Sequence, residues 1–97
     1  MEFVLYLSPA ASKDIIEAVN YYNSQSDGLG KRLAIETDTV LNNIAAAPKI
    51  YSFRYREIRA ARIPSFPYLI YYTIDERNKL IQVLRIFNIH QKPFWKH

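Results

Sequence analysis

The chain has 97 residues, 49% of them apolar, with no cysteine, two glycines and five scattered prolines. That size accommodates one core and a single domain over residues 1–97, without linker or repeat; the missing cysteines exclude a disulfide framework and leave zinc only His90, His97 and carboxylates. The net charge of +4 conceals a division: residues 1–48 carry six acids against three bases, giving −3, whereas residues 49–97 carry ten Lys or Arg against Glu57, Asp75 and Glu76, giving +7, a field that attracts phosphates or an acidic protein.

Residues 3–7 are apolar throughout and short, which predicts a strand covered on both faces and is too short for a signal peptide or a membrane span. A cytoplasmic protein with no metal or cofactor, no membrane partner and no small-molecule ligand is the expectation. Ser8-Pro9 fits a helix N-cap followed by proline at the first helical position. The first helix then carries Ala11, Ile15, Ala18, Val19 and Tyr22 on its core stripe, while Lys13, Asp14 and Glu17 point elsewhere. It should stop within residues 23–28. A second helix over about 30–46 places Leu33, Thr37, Val40, Leu41 and Ile44 on one face, and Pro48 closes it. Two helices joined by a short turn predict an antiparallel hairpin.

After Pro48 the period becomes extended. Residues 55–63 hold Arg56, Arg59 and Arg62 and read as a strand, or the edge of a strand pair, with at least one wet face. Residues 66–74 are dense in β-formers, residues 75–78 form a polar turn, and residues 79–89 make a last long strand. Its alternation predicts Ile81, Val83, Phe87 and Ile89 on one side and Leu80, Leu84 and Ile86 on the other, so it should sit centrally. The resulting order is β-α-α-β-β-β, an α+β fold with the helix hairpin on one face of a small, mostly antiparallel sheet.

The residues from Ser8 to Tyr22, Leu29-Gly30, Pro48, Ile58-Arg59, the run Phe66-Pro67-Tyr68-Leu69-Ile70-Tyr71-Tyr72 and the run Ile89-His90-Gln91-Lys92-Pro93-Phe94-Trp95 together resemble the ParE/RelE superfamily of toxins from bacterial type II toxin-antitoxin systems. The resemblance spans nearly the whole chain. It implies a growth inhibitor held inactive by a cognate antitoxin. ParE-like members are taken to bind and poison DNA gyrase; RelE-like members cut messenger RNA on the ribosome. It also implies an antitoxin segment that lays apolar side chains into a groove beside the helix hairpin and sets acids over the sheet arginines.

Cutting RNA with its own 2′-hydroxyl requires a proton acceptor, cations for the phosphate and an acid for the leaving oxygen. RelE-like enzymes typically carry a basic residue after the strand tyrosine and a tyrosine or histidine near the C-terminus. Here Leu69 follows Tyr68, and Trp95, which can stack but carries no titratable proton, stands at the near-terminal position. Were the chain a ribonuclease, Arg59, Arg85, His90 and Lys92 would be its catalytic candidates. As a binder, it would use Arg56, Arg59, Arg62, Arg85, Lys92 and Trp95. Arg85 interrupts an apolar strand, so it must pair, snorkel or face a functional groove. Tyr21, Tyr22, Tyr68, Tyr71 and Tyr72 imitate a stacking surface, but such residues are more often core: Tyr22 and one of Tyr71 and Tyr72 should pack between helix and sheet with hydroxyls at the rim, and Phe94-Trp95 either anchors a partner or, the favoured reading, folds back onto the domain. These departures weigh toward a ParE-like, non-enzymatic toxin; the alternatives are a RelE-like ribosome-dependent nuclease and a degenerate toxin that only binds antitoxin.

Overall fold

The computed structural model describes residues 3–92 and 94–95; Met1, Glu2, Pro93, Lys96 and His97, the last counted above among the zinc donors, lie outside the described residues. The elements are β1 (Val4–Leu7), α1 (Pro9–Gln25), α2 (Leu29–Ala46), β2 (Phe53–Tyr55), β3 (Ile58–Ile63), β4 (Tyr68–Asp75) and β5 (Leu80–Asn88). This is the expected α+β order, with the arginine-rich segment resolved into β2 and β3. The five strands lie in the order β1-β5-β4-β3-β2, all neighbours antiparallel except β1 beside β5. Among the described residues no helix is long and apolar enough to cross a membrane.

Local chemistry sets the helix hairpin. The Ser8 Oγ accepts from the Ala11 N–H at 3.0 Å and donates to the Leu84 carbonyl at 2.8 Å, so one hydroxyl caps α1 and ties its start to β5. Gly28 turns the chain with φ +82°, a conformation that disfavours any Cβ. Two residues on, Gly30 lets the helices touch: a Cβ there would stand 2.3 Å from the Val19 carbonyl oxygen and 2.5 Å from the Asn23 side chain. Asn23 in turn accepts from the Gly30 N–H at 2.8 Å, filling an open donor of the α2 N-terminus.

The hairpin covers one face of the sheet. Ala11, Ala18, Leu33, Val40 and Ile44 meet Ala61, Ile63, Ile70, Tyr72, Ile81, Val83 and Ile86 in the core. Burying a side chain of this size stabilises the fold by about 1.5–3 kcal/mol. Thr37 is buried because its hydroxyl donates back to the Leu33 carbonyl at 2.7 Å. Tyr72 is fully buried, and its hydroxyl donates to the Pro48 carbonyl at 2.6 Å, pinning the end of the helix hairpin to β4.

Two expectations need correction. β1 is not covered on both faces: it is an edge strand, and Val4 and Tyr6 are 68% and 51% exposed on the face away from the helices. The alternation predicted for the last strand also breaks. Tyr72 pairs with Val83 but Tyr71 pairs with Arg85, so Leu84 is an extra residue, a β-bulge that inverts the facing of everything after it. Ile86 therefore joins Ile81 and Val83 in the core, and Arg85 and Phe87 turn to the opposite face.

That opposite face is not bare. Tyr71, 3% exposed, lies under the returning C-terminal tail, with ring centroids 5.7 Å from Phe94 and 5.3 Å from Trp95. Trp95 stacks flat on Tyr55 at 4.8 Å. The tail thus folds back.

Gly30→Ala should lower stability by about 1–3 kcal/mol in urea unfolding, because the helices must separate to admit the methyl group. Tyr72 gives a pH signature. Burial pushes its phenol up from 10.0 to about 12. Above the ordinary value the unfolded chain releases a proton that the folded chain keeps, so stability present below that pH is lost as pH rises from 10.0 to about 12. Tyr72→Phe should cost about 1 kcal/mol at neutral pH and flatten that alkaline decline.

Candidate functional site

The basic residues of the sheet half divide into those the fold consumes and those it leaves free. Arg85 is consumed. From the far face of β5 its side chain passes over the Phe87 ring at 4.2 Å and around the strand edge to α1, where Nε and Nη2 donate to the two carboxylate oxygens of Asp14 at 2.7 and 2.8 Å. The same Asp14 Oδ2 accepts from the Ile86 N–H at 3.0 Å. Asp14 therefore does not point away from the sheet, as helical spacing suggested: it closes the β5 edge just beyond the point where β1 stops. Its hydrogen bonds raise the Arg85 pKa further above its ordinary value.

Arg59 is consumed as well. Its Nη1 donates to the carbonyls of Tyr51 and Lys49 at 2.6 and 3.2 Å, with the guanidinium 3.9 Å from the Phe53 ring centroid, so it fastens the loop after α2 to the sheet. Arg56 sits at φ +51° in the β2–β3 turn, exposed, over the Tyr55 ring. Arg62 is exposed on β3, with only a long contact from Nε to the Phe66 carbonyl at 3.4 Å. Lys92 is exposed in the tail.

His90 stands near the Asp14 end of the Arg85–Asp14 pair. It lines an open groove of about 530 Å³ between α1 and the end of β5, with Asp14, Glu17, Tyr21, Tyr22 and Tyr68. Burial and the neighbouring Tyr22 raise the Tyr68 pKa, keeping that phenol protonated. The strand edge in this groove is closed by side chains: Asp14 takes the Ile86 N–H, and Gln91 Oε1 takes the Asn88 N–H at 3.1 Å. The helix-side groove is thus tyrosine-lined, with Glu17 beside an Asp14 already paired with Arg85, and among the described residues it presents no strand edge ready for pairing.

The cationic opening lies at the other end of the sheet. β2 is three residues long, and a notch of about 370 Å³ forms beside it, lined by Ile50, Phe53, Leu69, Arg54 and Arg62 among others. Ile50 and Phe53 are 68% and 59% exposed. The Ala60 N–H donates to the Ser52 carbonyl at 3.2 Å; among the described residues no strand stands opposite Arg62 farther along that edge. Arg54, Ile50 and Phe53 escaped the sequence reading because only the β2–β3 hairpin brings them beside Arg62. Their signal was available in part, as an apolar residue alternating with arginines in residues 50–56.

A chain of the chromosomal ParDE TA system from P. aeruginosa is similar in structure, with TM-score 0.77 and 14% identity over 89% of this chain and 95% of that one. A chain of the toxin-antitoxin complex RelBE2 from Mycobacterium tuberculosis matches at TM-score 0.67 and 15% identity, over 91% of this chain and 99% of that one. No curated protein matches the sequence. Residues 5–93 match the family model described as the ParE toxin of the type II toxin-antitoxin system parDE, and the chain belongs to that family.

If Asp14 closes the edge as described, Asp14→Ala should destabilise the protein by about 2 kcal/mol, since it leaves Arg85 unpaired and the Ile86 N–H without its acceptor. Asp14→Asn keeps an acceptor for that N–H and should cost less. Chemical denaturation of the two variants beside the parent chain checks the order.

Proposed function

We propose that this chain inhibits growth by binding DNA gyrase, without cutting chemistry of its own, and that a cognate antitoxin neutralises it by laying an extended acidic segment over the arginine edge formed by β2 and β3. The observation that carries the non-enzymatic reading is the fate of the two strand arginines. A general acid or base must come within about 2.6–3.2 Å of the proton it moves, beside cations aimed at the same phosphate. Arg59 is spent on the loop carbonyls, Arg85 is spent on Asp14, and the strands carrying them are separated by β4, about 10 Å apart at ordinary strand spacing. His90 lines the helix-side groove, and Lys92 is exposed in the tail. Arg59 and Arg85 do not converge, and although His90 lines the groove that holds Asp14, the Arg85 guanidinium beside it is already bound to that carboxylate.

Charge and backbone together favour the other edge for the antitoxin. An acidic strand would meet the Glu17 carboxylate and a closed edge beside α1, but at the notch it finds Arg54 and Arg62, the apolar side chains of Ile50 and Phe53, and an open strand edge. This is strand addition with charge complementarity.

Induced expression with and without the neighbouring small gene, read for supercoiling and for messenger RNA cleavage, tests the target. Blocked supercoiling with intact messages is expected. Codon-positioned cuts that disappear in His90→Ala would refute the proposal in favour of a nuclease, and growth without inhibition would leave only an antitoxin-binding role. For neutralisation, Arg54→Glu with Arg62→Glu should weaken antitoxin binding about tenfold or more, and binding of the parent chain should fall as salt rises. Affinity indifferent to both changes would rule out the arginine edge.

A further inference from the structure

A sheet must dispose of its edges, because a row of unpaired N–H and C=O groups is a template for another strand. Here the edges are treated unequally. Beyond β1, the outer side of β5 is closed by Ser8, Asp14 and Gln91. The β2–β3 edge carries Arg54, Arg56 and Arg62, charges that repel another copy of itself. β1 has neither protection.

In the parallel ladder the Val4 N–H donates to the Lys79 carbonyl and the Ser8 N–H to the Val83 carbonyl, so alternate residues from Val4 onward bond to β5. The peptide groups of Phe3, Leu5 and Leu7 therefore face outward, and among the described residues no strand lies against them. The strand reads Val-Leu-Tyr-Leu, with no charge, no proline and no bulge. Its Val4 and Tyr6 side chains, on the face away from the helices, are among the most exposed apolar groups in the chain.

We propose that two copies of this chain pair β1 with β1, antiparallel across a two-fold axis, joining their sheets edge to edge. The strand is self-complementary in one register. With Leu5 on the axis, Leu5 faces Leu5 and Phe3 faces Leu7, so all the outward peptide groups are paired, and each Tyr6 stands beside the other copy's Val4, an aromatic and β-branched pair of the kind that stabilises antiparallel ladders. Charge selects a second copy over the acidic segment. An uncharged strand gives that segment no cation, and in the two-fold assembly β3 and β2 lie three and a half and four and a half strand spacings from the axis, about 17 to 21 Å, farther than the screening length of about 8 Å in physiological salt. The contact is small, so the dimer is weak and concentration-dependent.

Sedimentation of the purified chain between about 1 and 500 µM tests this. The expected result is reversible dimerisation, weakened roughly tenfold or more by either Val4→Glu or Tyr6→Lys, with circular dichroism and melting unchanged because both positions are exposed. The double variant V4E/Y6K should regain the dimer, since this register sets each new carboxylate against the other copy's new ammonium. A parent chain that stays monomeric throughout, or a dimer indifferent to either single substitution, overturns the proposal. So does a monomeric chain whose antitoxin binding is lost in V4E, because the edge then receives a foreign strand. Gyrase inhibition is read separately and its failure would leave the sedimentation result standing.

Discussion

The extra residue at Leu84 and the clasp it creates between Arg85 and Asp14 govern how the two layers fit. β1 ends beside Val83, and from there β5 continues with no strand on that side among the described residues. Had β5 kept its regular alternation, Arg85 would have faced the helices, its charge would have entered the core and Ile86 would have been lost to the far side. The bulge reverses that. A guanidinium outside the core can reach around the edge to a carboxylate on α1, and the same carboxylate serves the Ile86 N–H that β1 leaves unpaired. The ion pair is only partly buried, with Arg85 31% and Asp14 12% exposed, so its desolvation cost is limited while its two short hydrogen bonds are kept.

The same device explains where the molecule can and cannot receive a partner. Ser8, the N-cap of α1, and Asp14, on its first turns, act as a substitute strand for β5. The helix-side groove is thereby left to side-chain contacts alone. Backbone pairing remains available at the two outer strands, which differ in charge: β1 is neutral and apolar, β2 and β3 carry arginines and exposed aromatic surface. One sheet thus offers two edges with different chemical preferences: β1 carries no charge, and the β2–β3 edge displays Arg54, Arg56 and Arg62.

Much of the fold could be read from local pattern. Ser8-Pro9 marked the start of α1, and the stripes of α1 and α2 identified the core faces, because capping and helical periodicity are set by neighbours within a few residues. What escaped depended on distant neighbours. Asp14 and Arg85 are 71 residues apart, and nothing near Asp14 distinguishes it from Lys13 or Glu17 on a solvent-facing turn. A bulge leaves no mark in a run such as Leu-Ile-Gln-Val-Leu-Arg-Ile-Phe, where either parity gives apolar faces. The position of Arg85 did announce that some partner was required. Its identity came from the topology.

Arg59 and Arg62 show why candidate residues cannot be ranked by composition. They lie three residues apart on one strand, hence on opposite faces. Arg59 shares the helix-side face with Tyr72 and finds the loop carbonyls that follow α2; Arg62 shares the other face with Leu69 and opens onto the notch. An arginine is retained by the fold where carbonyls or carboxylates converge on it, and left for recognition where only solvent and apolar surface surround it. By that criterion the proposed recognition surface draws on Arg54, Arg56 and Arg62, which are exposed, whereas Arg59 and Arg85 are held by loop carbonyls and by Asp14.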